Sequence, residues 1–168
     1  PDGRWFTWAQ LFDRVTRLAG ALRDRHGLRE GDRVMLIARD SIDSFEVLLA
    51  AWRLGATFLP VRAWLGAPEV GEIVVDGSPT VIVADEEFLP LIPSAAHRIL
   101  TRRPGDPTSE YECDIATADP VRGFATAALD GMNTLLYTSG TSGTPKGVIG
   151  TWRMTLAAFM ANSASMGG

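Results

Sequence analysis

The 168 residues hold a single cysteine, Cys113, and two histidines, His26 and His97. A lone cysteine rules out an internal disulfide framework and suits a reducing compartment. Neither histidine has a second His or a Cys at metal-ligand spacing. Long apolar runs are missing too. The longest, Phe45 to Val61, is broken by Glu46 and Arg53, so nothing reads as a bilayer span. Pro1-Asp2-Gly3 shows neither the basic nor the apolar region of a signal peptide, and a cytoplasmic location is expected. Basic charge is thin: 16 Lys plus Arg against 20 Asp plus Glu leave a net charge of −4. The arginines are spread from Arg4 to Arg153 without a patch, which argues against a general nucleic-acid binder. Lysine is the scarcest of all. Of the 16 basic residues 15 are Arg, and the exception, Lys146, lies in the stretch richest in glycine and hydroxyls.

What is present is an ordinary globular composition, 46% hydrophobic and 21% charged. The length alone allows one domain, since about 150 residues bury roughly 68–70% of their unfolded surface. The missing initiator Met, and a last stretch that stops just past a helix, read as a piece of something longer.

Local patterning predicts alternating elements. Thr7 and Gln10 form a capping box, followed by Trp8, Leu11, Phe12, Val15, Leu18, Ala19 and Leu22 at helical spacing, with Gly27 as the stop. Val34–Ala38 reads as a buried strand, 42–54 as a helix, Thr57–Val61 as a second strand. Pro68 suits the first turn of a further helix, and Thr80–Ala84 is a third strand. The fold class expected is therefore α/β, with βαβ units and a largely parallel sheet covered by helices. In outline, 1–101 forms the βαβ portion and 102–122, rich in Pro, Gly and polar residues, a surface connection. The segment 132–150 is a strand–loop–strand element.

That last element carries the chemistry. Residues 138–147 read Thr-Ser-Gly-Thr-Ser-Gly-Thr-Pro-Lys-Gly: five hydroxyls, three glycines, one proline and the only lysine. Glycines permit close approach to the main chain, successive backbone N–H groups make an anion-binding concavity, and an ammonium suits phosphate oxygens. The stretch reads as a polyphosphate cradle. It is not a Walker A loop, because Pro145 precedes Lys146 and Gly147 follows it, and G-x-G-x-x-G is absent. Val148-Ile149 suggests a returning strand, so a hairpin rather than a helix N-terminus would hold the ligand. A flexible Gly/Ser/Thr linker is the competing reading, and it has no use for flanking strands or for the one lysine.

Tyr137 through Val148 resembles the signature loop of the adenylate-forming enzymes: acyl-CoA synthetases, nonribosomal peptide synthetase adenylation domains and luciferases. Phe6 through Leu22, Glu30-Gly31-Asp32-Arg33-Val34, Ala51–Ala56 and Leu59-Pro60-Val61 agree in order and spacing, so the likeness covers essentially the whole chain. The resemblance implies part of the large N-terminal AMP-binding domain, and a two-step reaction. A carboxylate attacks ATP to give an acyl-adenylate and pyrophosphate, with Mg²⁺. A thiol of CoA or carrier-protein phosphopantetheine then takes the acyl group. It implies phosphate binding by Thr138, Ser139, Gly140, Thr141, Ser142, Gly143, Thr144, Lys146 and Gly147, with Lys146 offsetting developing charge and Thr138 a contact for Mg²⁺. An acyl-CoA synthetase is the leading expectation. The alternatives are an amino-acid-activating adenylation domain and a non-catalytic nucleotide-binding relative.

The chain departs from the family pattern at three places. Thr151 is followed by Trp152 instead of His; Arg62-Ala63-Trp64 replaces an Asn followed two residues on by Arg; and Ala67 stands where a Thr or Ser cap is usual. The family's magnesium Glu, ribose Asp, acyl pocket and C-terminal lysine would all come later, so this stretch alone is expected to be inactive.

Other candidates have plainer readings. Asp85-Glu86-Glu87 is expected to complement a short helix's dipole. His26 and His97 are expected to be solvent-facing or incidental rather than ligands, and Cys113 lacks a base to activate it. Trp8 and Trp52 are expected in the core.

Overall fold

Continuous apolar runs such as Val34–Ile37 and Val81–Ala84, with no polar alternation, need cover on both faces. The computed structural model, which describes residues 5–94, 98–139 and 145–166, supplies it. The strands are β1 (Arg33–Ile37), β2 (Thr57–Val61), β3 (Val81–Asp85), β4 (Arg98–Arg102), β5 (Met132–Ser139) and β6 (Pro145–Thr151). They form one sheet in the order β4-β3-β1-β2-β5-β6. All neighbours pair in parallel except β6, which returns antiparallel to β5.

The helices are α1 (Trp8–Asp24), α2 (Ile42–Arg53), α3 (Ala67–Gly77), α4 (Glu110–Thr117) and α5 (Trp152–Met166). Leu18 and Leu22 of α1, Val47 and Ala50 of α2 and Tyr111 of α4 pack on one face of the sheet against Val34, Leu36, Val81 and Val83. On the other face, Val70, Ile73 and Val74 of α3 meet Met35, Ile37, Leu59, Ile82 and Leu135. The crossover from β1 to β2 thus runs on one side and that from β2 to β3 on the other. Such divergence opens a crevice at the carboxyl ends of the strands, the usual ligand position in open α/β sheets.

The first three strands and helices lie where the sequence puts them, and the Thr7/Gln10 capping box is formed, Thr7 N–H donating to Gln10 Oε1 at 2.8 Å. Other segments differ. The stretch 102–122, expected as a surface connection, contains α4, whose Tyr111 is fully buried. Its eight residues carry too few apolar positions for periodicity to show. Polar bonds hold it instead. Arg14 of α1 bonds both Glu46 of α2, at 2.5 Å, and Glu112 of α4, at 2.8 Å, while the Tyr111 hydroxyl donates to Glu46 at 2.9 Å.

His26 is buried, not solvent-facing, with Nε2 2.6 Å from Asp114 of α4. His97 lies outside the described residues. Asp85 serves a buried ion pair more than a helix dipole. Its carboxylate accepts from Arg102 Nε at 2.6 Å, Arg102 also reaches Asp43 at 2.7 Å, and all three side chains are almost wholly buried. Glu87 pairs with Arg39 at 2.6 Å, which holds its carboxyl below the usual range. Trp8 stands 86% exposed rather than in the core. Trp52 is half-buried, its ring 5.4 Å edge-on from that of Trp152.

Candidate functional site

The hairpin β5–β6 forms as the sequence suggests, and its register is set from both ends. At its base, Trp52 Nε1 donates to the Asn133 carbonyl at 3.0 Å and Thr57 Oγ1 to the Met132 carbonyl at 3.1 Å, tying β5 to α2 and β2. Asn133 Nδ2 donates to Thr155 Oγ1 at 2.7 Å, fixing the start of α5. Near its tip, the Tyr137 hydroxyl donates to Asp76 of α3 at 2.5 Å. Burial raises the Tyr137 phenol above its ordinary value, and the bond to Asp76 raises it further. The group is therefore a neutral donor, a structural tie and not an acid–base catalyst at neutral pH.

Across the hairpin, Tyr137 faces Gly147, Thr138 faces Lys146 and Ser139 faces Pro145. Directly paired residues share a face. Leu135 and Tyr137 point toward α3, since both join that side of the core. Thr138 and Lys146 therefore share the opposite face, and both are exposed. Gly147 has a packing reason beyond backbone access: a Cβ there would lie 3.0 Å from Leu135 Cδ1 and 3.4 Å from Tyr137 Cζ. A larger residue there would have to push those side chains aside by a few tenths of an ångström.

Of the residues expected to bind phosphate, Thr138, Lys146 and Gly147 are brought together here, and Ser139 ends β5. Gly140, Thr141, Ser142, Gly143 and Thr144 lie outside the described residues. Lys146 makes no ion pair among the described residues, so its charge is available to a ligand. For a metal, no group of three or more His, Cys, Asp or Glu converges among the described residues. Thr138 can offer a single hydroxyl to an ion held chiefly by other ligands.

Two cavities flank Thr138 at the carboxyl edge of the sheet. One, of 330 Å³, is lined by Arg62, Trp64, Glu69, Tyr137, Thr138 and Pro145 among others. The second, of 560 Å³, brings Ala38, Arg39 and Asp40 after β1 together with Arg62, Trp64 and Thr138. Arg62 and Trp64 stand out from the sequence only as departures from a family pattern; the sheet order, with β2 beside β5, is what puts them here. The third departure, Ala67, proves to be the first residue of α3. Gly66 precedes it, and Glu69 reaches back to accept from Gly66 N–H at 2.8 Å, replacing a Ser or Thr cap.

These features define a doubly wound α/β protein with a β-hairpin, carrying Thr138 opposite Lys146, at the carboxyl edge of its sheet. The chain belongs to the AMP-binding enzyme family, which matches residues 1–167. A feruloyl-CoA synthase from Amycolatopsis sp is 34% identical over 147 residues, covering 88% of this chain and 28% of the synthase. The fatty acid–[acyl-carrier-protein] ligase ScoC of Streptomyces coeruleorubidus is 32% identical over 151 residues, covering 88% of this chain and 28% of the ligase. Among solved structures, ATP-bound MatB from Rhodopseudomonas palustris superposes with a TM-score of 0.82 at 28% identity, over 93% of this chain and 31% of MatB. The chain thus spans less than a third of the length of these relatives.

Proposed function

We propose that the full-length protein is an acid–thiol ligase. It would activate a carboxylic acid with ATP to an acyl-adenylate and then pass the acyl group to a thiol, CoA being the favoured acceptor. The observation that carries this reading is the hairpin, which sets Thr138 directly opposite Lys146 at the mouth of a loop of glycines and hydroxyls. In the first half-reaction the carboxylate oxygen bonds the α-phosphorus while the bond to the β-phosphate oxygen breaks, so negative charge grows on the departing pyrophosphate. Lys146 is the residue that offsets this charge. The hydroxyls of Thr138, Ser139, Thr141, Ser142 and Thr144 donate to phosphate oxygens, and Gly140, Gly143 and Gly147 leave the main chain accessible. Mg²⁺, when bound, would share the phosphate charge, with Thr138 as this chain's contact. A cytoplasmic location belongs to the same reading and rests on the single cysteine.

A carrier-protein phosphopantetheine is the second acceptor considered, and the likeness to ScoC favours it. An amino-acid-activating adenylation domain and a non-catalytic nucleotide binder remain the alternatives.

The test is carboxylate-dependent ATP–pyrophosphate exchange by the full-length protein over a panel of fatty, aromatic and amino acids. Exchange with at least one acid is expected, and Lys146→Gln should lower it by about 10²–10³-fold, as loss of one oxyanion-type donor does. Lys146→Arg should also be impaired, because a planar fork does not reproduce a compact ammonium. Absence of exchange with every acid overturns the ligase reading, and full turnover by Lys146→Arg overturns the role given to that ammonium.

A further inference from the structure

The geometry points to Arg62 as a second phosphate-binding cation of this site, one that grips the pyrophosphate portion of the ligand alongside Lys146. This rests on the reading of the hairpin as a nucleotide-phosphate cradle and adds a residue to it.

The first observation is register. Phe58 of β2 pairs in parallel with Thr134 of β5. Carried forward one residue at a time, and one step past the end of β2 at Val61, that register would set Arg62 beside Thr138. Thr138 is in turn paired with Lys146 across the hairpin. Arg62, Thr138 and Lys146 therefore form one row across three adjacent chain segments. Neighbouring strands lie about 4.8 Å apart, so the two cations flank the Thr138 hydroxyl with backbones about 10 Å apart. That span suits two anchors on one diphosphate. Both cavities beside the hairpin are lined by Arg62 together with Thr138, so these two residues open onto space a ligand can enter, with the exposed Lys146 paired to Thr138 next to it.

The second observation is that Arg62 is held but not neutralised. Its guanidinium stacks on the Trp64 ring, 4.8 Å from the centroid. No carboxylate pairs with it among the described residues. Most other described arginines have a hydrogen-bonding partner: Arg14, Arg39, Arg102 and Arg153 pair with acids, and Arg29, Arg33, Arg53 and Arg98 donate to backbone carbonyls. The acids nearest in the cavity walls are Glu69, which accepts from Gly66 N–H, and Asp40; neither forms an ion pair with Arg62. A stacked, unpaired guanidinium beside a cavity presents its fork edgewise to phosphate oxygens, the geometry in which Arg binds them bidentately.

The departure in sequence then acquires a meaning. Where relatives are expected to place Asn followed two residues on by Arg, this chain carries the cation at the first position and an aromatic platform, Trp64, at the second.

The experiment measures binding of inorganic pyrophosphate to the full-length protein by titration calorimetry, for wild type, Arg62→Gln, Arg62→Lys, Trp64→Leu and Lys146→Gln. Arg62→Gln is expected to weaken pyrophosphate binding about tenfold or more and to flatten its dependence on salt. Arg62→Lys should recover part of the loss, and Trp64→Leu should weaken binding by a smaller factor, through loss of the stack. Pyrophosphate bound by Arg62→Gln within twofold of wild type, while Lys146→Gln loses it, overturns the role of Arg62 and leaves the cradle standing. Failure of the wild type itself to bind pyrophosphate overturns both.

Discussion

At the scale of single residues, the two tyrosines show how burial decides what a side chain can do. Tyr111 is fully buried against Glu46, and Tyr137 is half-buried against Asp76. In each, burial first and the neighbouring carboxylate second raise the phenol above its ordinary value of 10.0. The unfolded chain restores that ordinary value. The stabilisation is therefore complete below pH 10 and is lost as pH rises through the folded values. A titration of the 168-residue chain, with phenolate absorbance read alongside circular dichroism, should show no phenolate until the helical signal begins to fall. Phenolate appearing near pH 10 with the helical signal intact would mean that these hydroxyls are not held as described. The residue scale is also where the sequence was most and least readable. Lys146 stood out because every other basic residue is Arg. Arg62 did not, because its neighbours Thr138 and Lys146 come from a distant part of the chain and only strand order joins them. The burial of His26 is hidden in the sequence for the same reason: its partner, Asp114, lies on a helix that local patterning does not reveal.

At the scale of elements, α1 shows local propensity giving way to packing. Gly20 sits inside this helix, where Ala is ordinarily better by about 1 kcal/mol. A Cβ at Gly20, however, would overlap the Asp119 carbonyl oxygen of the segment that follows α4. That segment is tied to the same helix, Val121 N–H donating to the Thr16 carbonyl at 2.9 Å. Gly20→Ala should therefore destabilise, by about 1–3 kcal/mol as overpacked sites do, despite its better helix propensity. The midpoint of urea denaturation decides the sign; an increase would show that the 118–121 segment yields freely. Elements with strong periodicity or full burial, such as α1 to α3 and β1 to β3, were legible because each needs only its own residues to declare a face. Strand β4 and helix α4 were not. Arg102 carries a charge that reads as surface until Asp43 and Asp85 are seen to enclose it, and α4 owes its place to Arg14 and Glu46 as much as to Tyr111 and Ile115.

At the scale of the whole molecule, the surroundings of Thr138 stand open. The cavities there face solvent, and the helix that leaves the hairpin, α5, exposes Met154, Leu156, Phe159 and Met160. A further cavity of 360 Å³ is lined almost wholly by apolar side chains, with Trp8, Phe12, Trp52, Phe124 and Trp152 around it. Arg53 beneath it stacks on Phe124 at 4.3 Å and Phe12 at 5.1 Å. Apolar patches of this kind mark contact surfaces. Taken with a span of less than a third of the relatives' length, they lead to the expectation that residues 1–168 alone support no carboxylate-dependent ATP–pyrophosphate exchange. Exchange detected from this stretch would show the reacting groups to be complete within it. The antiparallel pairing of β5 with β6 has a last consequence, in the tolerance of the gene to insertions and deletions. Leu135 and Tyr137 are fixed in the core, which sets the parity of every other position on the hairpin. Removing one residue between Ser139 and Lys146 would turn the ammonium to the opposite face, whereas removing two would return it. Length variation in this loop should therefore be accepted in even steps and rejected in odd ones, whatever its effect on stability.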